Sequence, residues 1–337
     1  MSAGVGITRG GPKSPVTVTL ARARGSVRRT TTIDSARPDG VAGNVLVTAR
    51  ARDLHSLPSG RALVLGSDGF AAVLSADRKL RAIDHPDVRL ASLIGAQVSG
   101  GFRARALELL PDEAARLTLL NLLLDDLPGA SLVSGYATQR DPSWTSRPFP
   151  AEHLAGMTDL CAGWAAEATI MEAVRELGSI PVPTTAAVAA TNVDQDAWHE
   201  RPALPVGAMR RARRLDVVAD DPRGGTLHFD VHFRDSYRDA TEGEGAVHEY
   251  TVRGRFAPLT RTILELDAEA HVLPWTECPR ALGSVPRAVG MTTDDIRARV
   301  RGDFVGTGTC THLNDVLRSL ADLPCLAAAL AGDGSRS

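Results

Sequence analysis

The 337-residue chain repeats itself, and the repeat restricts its fold more than any other feature. Self-similarity at one long offset means that a supersecondary unit has been used twice. Residues 33–54 lie on residues 215–236 without a gap, at the offset that carries Asp34 onto Asp216. Asp34/Asp216, Asp39/Asp221, Gly43/Gly225, Arg52/Arg234 and Asp53/Asp235 are identical. Ordinary composition gives about one or two identities in such a window. The alternation agrees as well. Val45, Val47, Ala49 and Ala51 face one way in the first copy, and Leu227, Phe229, Val231 and Phe233 do so in the second. Each reads as a strand with one buried face.

The match resumes in a helical part. Phe102 to Arg105 recurs as Ile296 to Arg299, and Leu117 to Leu127 lies on Cys310 to Leu320. There Thr118/Thr311, Leu120/Leu313, Asn121/Asn314, Leu124/Leu317 and Leu127/Leu320 are identical. The larger offset is mostly absorbed by the polar loop from Tyr237 to Gly245. Strands followed by helices predict an α+β fold rather than a βαβ array. Two tandem related units are expected, packed as a pseudo-symmetric pair with a connecting helical segment. The expected boundaries are a disordered lead at 1–15, a first, degenerate unit at 16–130, a connecting helix and linker at 131–205, a second unit with the Cys/His cluster at 206–331, and a disordered tail at 332–337. Within the connection, Ser143 to Pro150 reads as loop, Met157 to Leu177 as one helix, and Pro181 to Pro205 as irregular chain.

Composition narrows the functional classes. A formal net charge of −2 gives no whole-chain basic field for nucleic acid, and 4% aromatic residues supply few stacking platforms. The basic run Arg210, Arg211, Arg213, Arg214 lacks interleaved aromatics and reads as a solvated face. No run approaches the ~20 apolar residues of a membrane span. The first fifteen residues lack an apolar signal core. Four cysteines, Cys161, Cys278, Cys310 and Cys325, do not make a disulfide framework, and the reducing cytoplasm is the expected compartment. The expected partner is a small-molecule substrate, with neither nucleic acid nor membrane, and the sequence leaves the oligomeric state open.

The run from Gly308 to Leu313, with Cys310, Thr311 and His312, resembles the Gly-Cys-Thr-His-Leu signature of a bacterial family known as domain of unknown function 2889. Arg37, Asp39 and Gly40 followed by Arg52 and Asp53 resemble its opening pattern. His248 to Tyr250 is similar to its His-x-Met strand, and Pro274 to Cys278 to its Pro…Cys step. The resemblance covers both units, so the chain looks like a two-copy version. It implies no reaction.

Comparison of the copies points to chemistry in the second. Cys310 and His312 fall on Leu117 and Leu119, and more loosely His248 on Leu63 and His228 on Leu46. A helix is predicted over Leu313 to Ala321, with Thr309 or Thr311 as its cap, which puts Cys310 at a helix N-terminus. Backbone N–H groups there favour a thiolate and lower its pKa. Cys310, His312 and His248 are the candidate catalytic groups, with His232 and Glu249 as acid/base helpers. Cys278, Cys310, His312 and His248 are together the right ligands for zinc, without the spacing of a recognised zinc knuckle. The alternating His228, Asp230, His232 and Arg234 are either a ligand set or a solvated strand face. Arg52/Asp53 and Arg234/Asp235, present in both copies, are expected to be structural. No phosphate-binding loop, dinucleotide fingerprint, nucleophile elbow or His-Glu-x-x-His is present. Two readings stand: a small-molecule enzyme doing hydrolase, hydratase or lyase chemistry on a small organic acid or acyl compound, or a non-catalytic binding or scaffold protein with a structural Cys/His site.

Overall fold

The computed structural model describes residues 10–141, 151–188, 194–219 and 225–332. The period-2 segments are strands. In β2 (Val45–Ser56) every second residue from Val45 to Ala51 is buried, and in β7 (Leu227–Asp239) every second residue from Leu227 to Asp235. With β1 (Ser26–Ala36), β3 (Ala62–Leu74), β4 (Leu80–Asp84), β5 (Ala186–Ala187), β6 (Met209–Ala219), β8 (Gly243–Ala257) and β9 (Thr262–Val272) they form one antiparallel sheet. Its order is β4-β3-β2-β1-β6-β7-β8-β5, with β9 also pairing β8. The two halves are therefore joined edge to edge by main-chain hydrogen bonding between β1 and β6, from Ser26↔Val218 to Ser35↔Met209.

Helices cover one face. In the first half they are α1 (Phe102–Leu109), α2 (Pro111–Arg116), α3 (Leu119–Val133) and α4 (Gly135–Gln139). The connection holds α5 (Ala151–Met157) and α6 (Thr169–Leu177), and the second half α7 (Ile296–Asp303), α8 (Thr311–Ser319) and α9 (Leu323–Ala331). Thr118 caps α3 by accepting from the Asn121 N–H, and the helix packs its leucines on β1, β2 and β3. Helix α9 lies over the β1/β6 seam. One apolar core joins β2, β3 and β4 to α1 and α3, and a second joins β7, β8 and β9 to α7, α8 and α9. Among the described residues no helix is long and apolar enough to cross a membrane.

Three expectations change. Met157 to Leu177 is not one helix: Asp159 takes a left-handed φ, a 3-10 turn spans Ala162–Trp164, and α6 starts only at Thr169. The apolar residues still find one another, since Leu154 and Trp164 pack with Ile170, Met171 and Val174. The lead is in place from Gly10, which bridges to Trp275, while Lys13 bridges to Val272. Residues 1–9 of the lead, 333–337 of the tail and the Ser143 to Pro150 loop lie outside the described residues.

The third change concerns the basic run, which is buried rather than solvated. Arg211 and Arg213 are each 2% exposed or less, on the helix side of β6. Arg211 forks onto Asp235 at 2.8 and 3.1 Å and reaches Asp315 at 2.7 Å, while Arg213 pairs with Asp126. On the other face Arg210 grips Asp34 and Arg214 pairs with Asp216 and Asp230. Strand β1 does the same, Arg28 with Asp216 and Arg29 with Asp53 and Asp322. Arginine tolerates such burial because its planar fork satisfies carboxylates in pairs. Gly129 on α3 makes room: a Cβ there would collide with the Arg211 guanidinium and the Asp315 carboxylate.

Candidate active site

The register of β7 against β8 decides which side chains meet. Asp235 lies opposite His248, Phe233 opposite Tyr250, Arg234 opposite Glu249, and His232 opposite Thr251. Paired residues share a face and neighbouring pairs alternate. Asp235, His248 and Tyr250 therefore stand under the helices, and His232, Arg234 and Glu249 stand on the reverse side. There His232 Nε2 and Arg234 each lie 2.7 Å from Glu249 Oε1. The expected acid/base helpers His232 and Glu249 thus form a separate cluster behind the sheet, cut off from Cys310.

The start of α8 brings in the other half of the site. Cys310 is itself the N-cap residue, in extended conformation and without a side-chain cap hydrogen bond, and the nearby backbone N–H groups of His312 and Leu313 favour its thiolate. The Tyr250 hydroxyl donates to the same sulfur at 3.3 Å. His312 Nδ1 lies 3.8 Å from Cys310 Sγ, and its Nε2 lies 3.7 Å from Asp235 Oδ2. His248 Nδ1 is 3.3 Å from that oxygen, an ion-pair distance off the line of a hydrogen bond. The two imidazoles stack, centroids 3.6 Å apart and planes 18° apart. Arg211 holds the carboxylate from beneath.

Burial sets the protonation states. It pushes the His312 imidazole well below its ordinary value, helped by His248, and lowers His248 too. Asp235 is held far below the usual carboxylate range, against its burial, chiefly by the Arg211 guanidinium. Burial raises the Cys310 thiol, even though Tyr250 and two backbone N–H groups pull the other way. The helix end was expected to lower it. The helix-end effect is real, but desolvation of a thiolate is the larger opposing quantity here. The resting site is therefore a neutral thiol, two neutral imidazoles and one carboxylate.

A cavity of about 180 Å³ opens over these groups. Cys310, His312, His248 and Cys278 line it, with Cys161 and Trp164 from the connecting segment and Trp275 from the chain after β9. The connecting segment is thus a wall of the site. Gly163 permits it, because a Cβ there would lie 2.7 Å from Cys278 Sγ. Burial raises Cys278 well above an ordinary thiol and Cys161 to about 12.

The metal-ligand set also shifts. Among the described residues the converging donors are Asp235, His248 and His312, all within 4.8 Å of one another, and Cys278 and Cys310 are not among them. Cys310 faces the opposite ring nitrogen of His312 from the one turned to Asp235. Of the expected zinc ligands Cys278, Cys310, His312 and His248, the two histidines belong to this Asp/His/His group and the two cysteines do not. Asp235, Tyr250 and Arg211 were missed in the sequence. The alternation of β7, with Asp235 two residues beyond Phe233 on the apolar face, was the signal available for Asp235.

The family model described as "Protein of unknown function (DUF2889)" matches residues 209–325. That span runs from β6 into α9 and contains Arg211, Asp235, His248, Tyr250, Cys278, Cys310 and His312. Among curated proteins and among solved structures, nothing matches.

Proposed function

We propose that this chain is a cytoplasmic enzyme in which Cys310 is the reacting nucleophile toward a small acyl compound or organic acid derivative. One observation carries the reading: His312 stands between Cys310 Sγ and Asp235, one ring nitrogen turned to each. With Asp235 ionised, Nε2 carries the proton and Nδ1 presents its lone pair to the thiol. This is the tautomer a general base needs. Cys310 Sγ attacks the carbonyl carbon and its proton passes to His312 Nδ1. An S–C bond forms, and the leaving group departs with the proton that His312 returns. Water, deprotonated by the same nitrogen, then hydrolyses the thioester and restores the thiol. The long S···N and N···O approaches shorten as substrate closes the site, a common difference between free and bound enzymes. A raised thiol pKa suits this scheme, since the thiolate exists only during the step. The cavity holds roughly six waters' worth of volume, counting about 30 Å³ each, which suits a short acyl group.

The same reading takes the chain as a two-copy form of the matched family. Support comes from paired contacts one offset apart: Arg28–Asp216 mirrors Arg210–Asp34, and Arg29–Asp53 mirrors Arg211–Asp235. The position opposite Asp53 is Gly66, where His248 stands opposite Asp235. On that register the counterpart of His248 is Gly66 rather than Leu63.

A second reading rests on the Asp235, His248, His312 group: a divalent metal, zinc by donor type, with an open fourth position. It requires the stacked rings to rotate, because one ion cannot lie in the planes of two parallel imidazoles. The experiment is p-nitrophenyl acetate with metal-stripped protein. A stoichiometric nitrophenol burst, with acetyl found on Cys310 by mass spectrometry and lost in Cys310→Ser and His312→Gln, supports the nucleophile. Activity that needs added zinc and survives Cys310→Ser supports the metal. Neither outcome leaves the non-catalytic reading.

A further inference from the structure

The reverse side of the sheet holds a cavity of about 530 Å³, between β7 and β8 beneath and the segments 16–21 and 198–204 above. Its walls hold several nitrogen donors without acceptors. The Arg201 guanidinium lies 4.3 Å over the Trp198 ring and, among the described residues, has no hydrogen-bond or ion-pair partner. Trp198 is 6% exposed, and its indole N–H has no acceptor. Arg234 Nε is buried and equally unpartnered, although the tip of the same side chain holds Glu249 and the Val16 carbonyl. Arg238 shares the wall and, among the described residues, has no carboxylate within ion-pair distance.

The acids in this wall are otherwise engaged. Asp230 takes Arg214 and Arg253, and Glu244 accepts from the Ser236 hydroxyl. Burial presses the Arg201 guanidinium down to about 10, and the charges of Arg210 and Arg234 add to it while Glu244 opposes. A buried donor without an acceptor costs about 1–3 kcal/mol, more when charged. Several around one cavity are the complement of a ligand rich in acceptors.

We propose that this cavity binds an oxyanion group of a small organic ligand, a phosphate or a carboxylate, through Arg201, Arg238, the Trp198 indole N–H and Arg234 Nε. The site lies back to back with the Cys310 cavity, since Arg234 and Asp235 are consecutive on β7 and point to opposite faces. It is chemically separate from it. His232 and Arg234 line its floor, and Glu249 holds Arg234 in place rather than serving Cys310.

The full-length chain is titrated with inorganic phosphate and with succinate at constant ionic strength in sodium chloride, read by melting temperature and by tryptophan fluorescence. One of the two anions is expected to give a saturable rise in melting temperature and a fluorescence change. Both responses should weaken at least tenfold in Arg201→Gln and in Arg238→Gln, with Arg201→Lys falling in between. Neither arginine holds an ion pair among the described residues, so these variants keep the fold. Preference for phosphate assigns a phosphate ester, and preference for succinate assigns a carboxylate. Binding no tighter than chloride, or unchanged in both Gln variants, overturns the proposal. No step of this assay involves Cys310, so its failure leaves the proposed nucleophile standing.

Discussion

Arg211→Met is the most informative single perturbation of this protein. The methionine keeps most of the side-chain volume and removes only the cation. Arg211 is 2% exposed and makes three contacts of 2.7–3.1 Å to Asp235 and Asp315, which are 0% and 7% exposed. Removing one partner of a buried pair leaves an uncompensated charge and costs about 3–5 kcal/mol. Two carboxylates lose a partner here, and Asp315 retains Arg103 at 2.8 Å, so Asp235 bears most of the loss. The sign with pH follows. In the wild type Asp235 is depressed, so its contribution is complete above pH ~4 and fades only as acid protonates it. In the variant its carboxyl rises, the penalty is full at neutral pH, and it shrinks as pH falls. Urea unfolding at pH 7.5 and pH 5 measures both quantities. The gap between wild type and variant should be largest at pH 7.5 and narrow at pH 5. Arg211→Met/Asp235→Leu should recover more than half of the loss, because it removes the stranded charge. A double variant no more stable than the single one would refute the view that this ion pair fixes Asp235.

Asp235→Asn should lower Cys310 acetylation by about 10²–10⁴-fold with the fold retained by circular dichroism, since an amide no longer selects the Nε2–H tautomer of His312; Asp53→Asn, the same change at the matching pair, should leave the acetylation rate within about twofold. His199 should contribute to the mild-acid limb of stability, alongside the buried His248 and His312. Thr30 and Thr32 hydroxyls hold its two ring nitrogens at 2.9 Å, and burial drives it down to about 3. Its folded state stays neutral while the unfolded chain takes up a proton below pH ~6.5, so stability is full above 6.5 and falls toward pH 3 by up to about 5 kcal/mol. His199→Gln should flatten urea midpoints plotted across that range, and an unchanged slope would count against it. Gly163→Ala should cost about 1–3 kcal/mol by overpacking against Cys278 and slow Cys310 acetylation; an unaffected rate would show that the connecting segment is not a wall of the site.

What the sequence made legible follows from how local each signal is. One-sided burial leaves a period-2 trace, so β2 and β7 were readable, and the Gly-rich run before α8 marked Cys310 as a helix start. Pairing across the sheet leaves no such trace. His232 and Glu249 looked like partners of Cys310 because nothing local to β7 or β8 tells which face α8 covers. The arginines of β6 looked solvated because their acids, Asp34, Asp126, Asp235 and Asp315, are scattered along the chain and only the closed sheet collects them. The connecting helix broke where Asp159 and Gly163 bend the chain against Cys278, a contact more than a hundred residues away in sequence.

Asp235, the orienting group of the proposed site, shows what an internal comparison can conceal. Arg29–Asp53 and Arg211–Asp235 are the same buried pair in two places, and recurrence made both look structural. The pair is indeed structural in each, for it ties a central strand to its neighbour beneath the helices. What differs is the ring of residues around the carboxylate. Gly66 stands across from Asp53 where His248 stands across from Asp235, and Leu117 and Leu119 occupy the helix start where Cys310 and His312 do. A carboxylate already held ionised by a buried arginine needs only imidazoles on its open side to become an orienting group for a base. A structural ion pair present in both halves is thus, in the proposed mechanism, the foundation that three further side chains would convert into a reactive site in one of them.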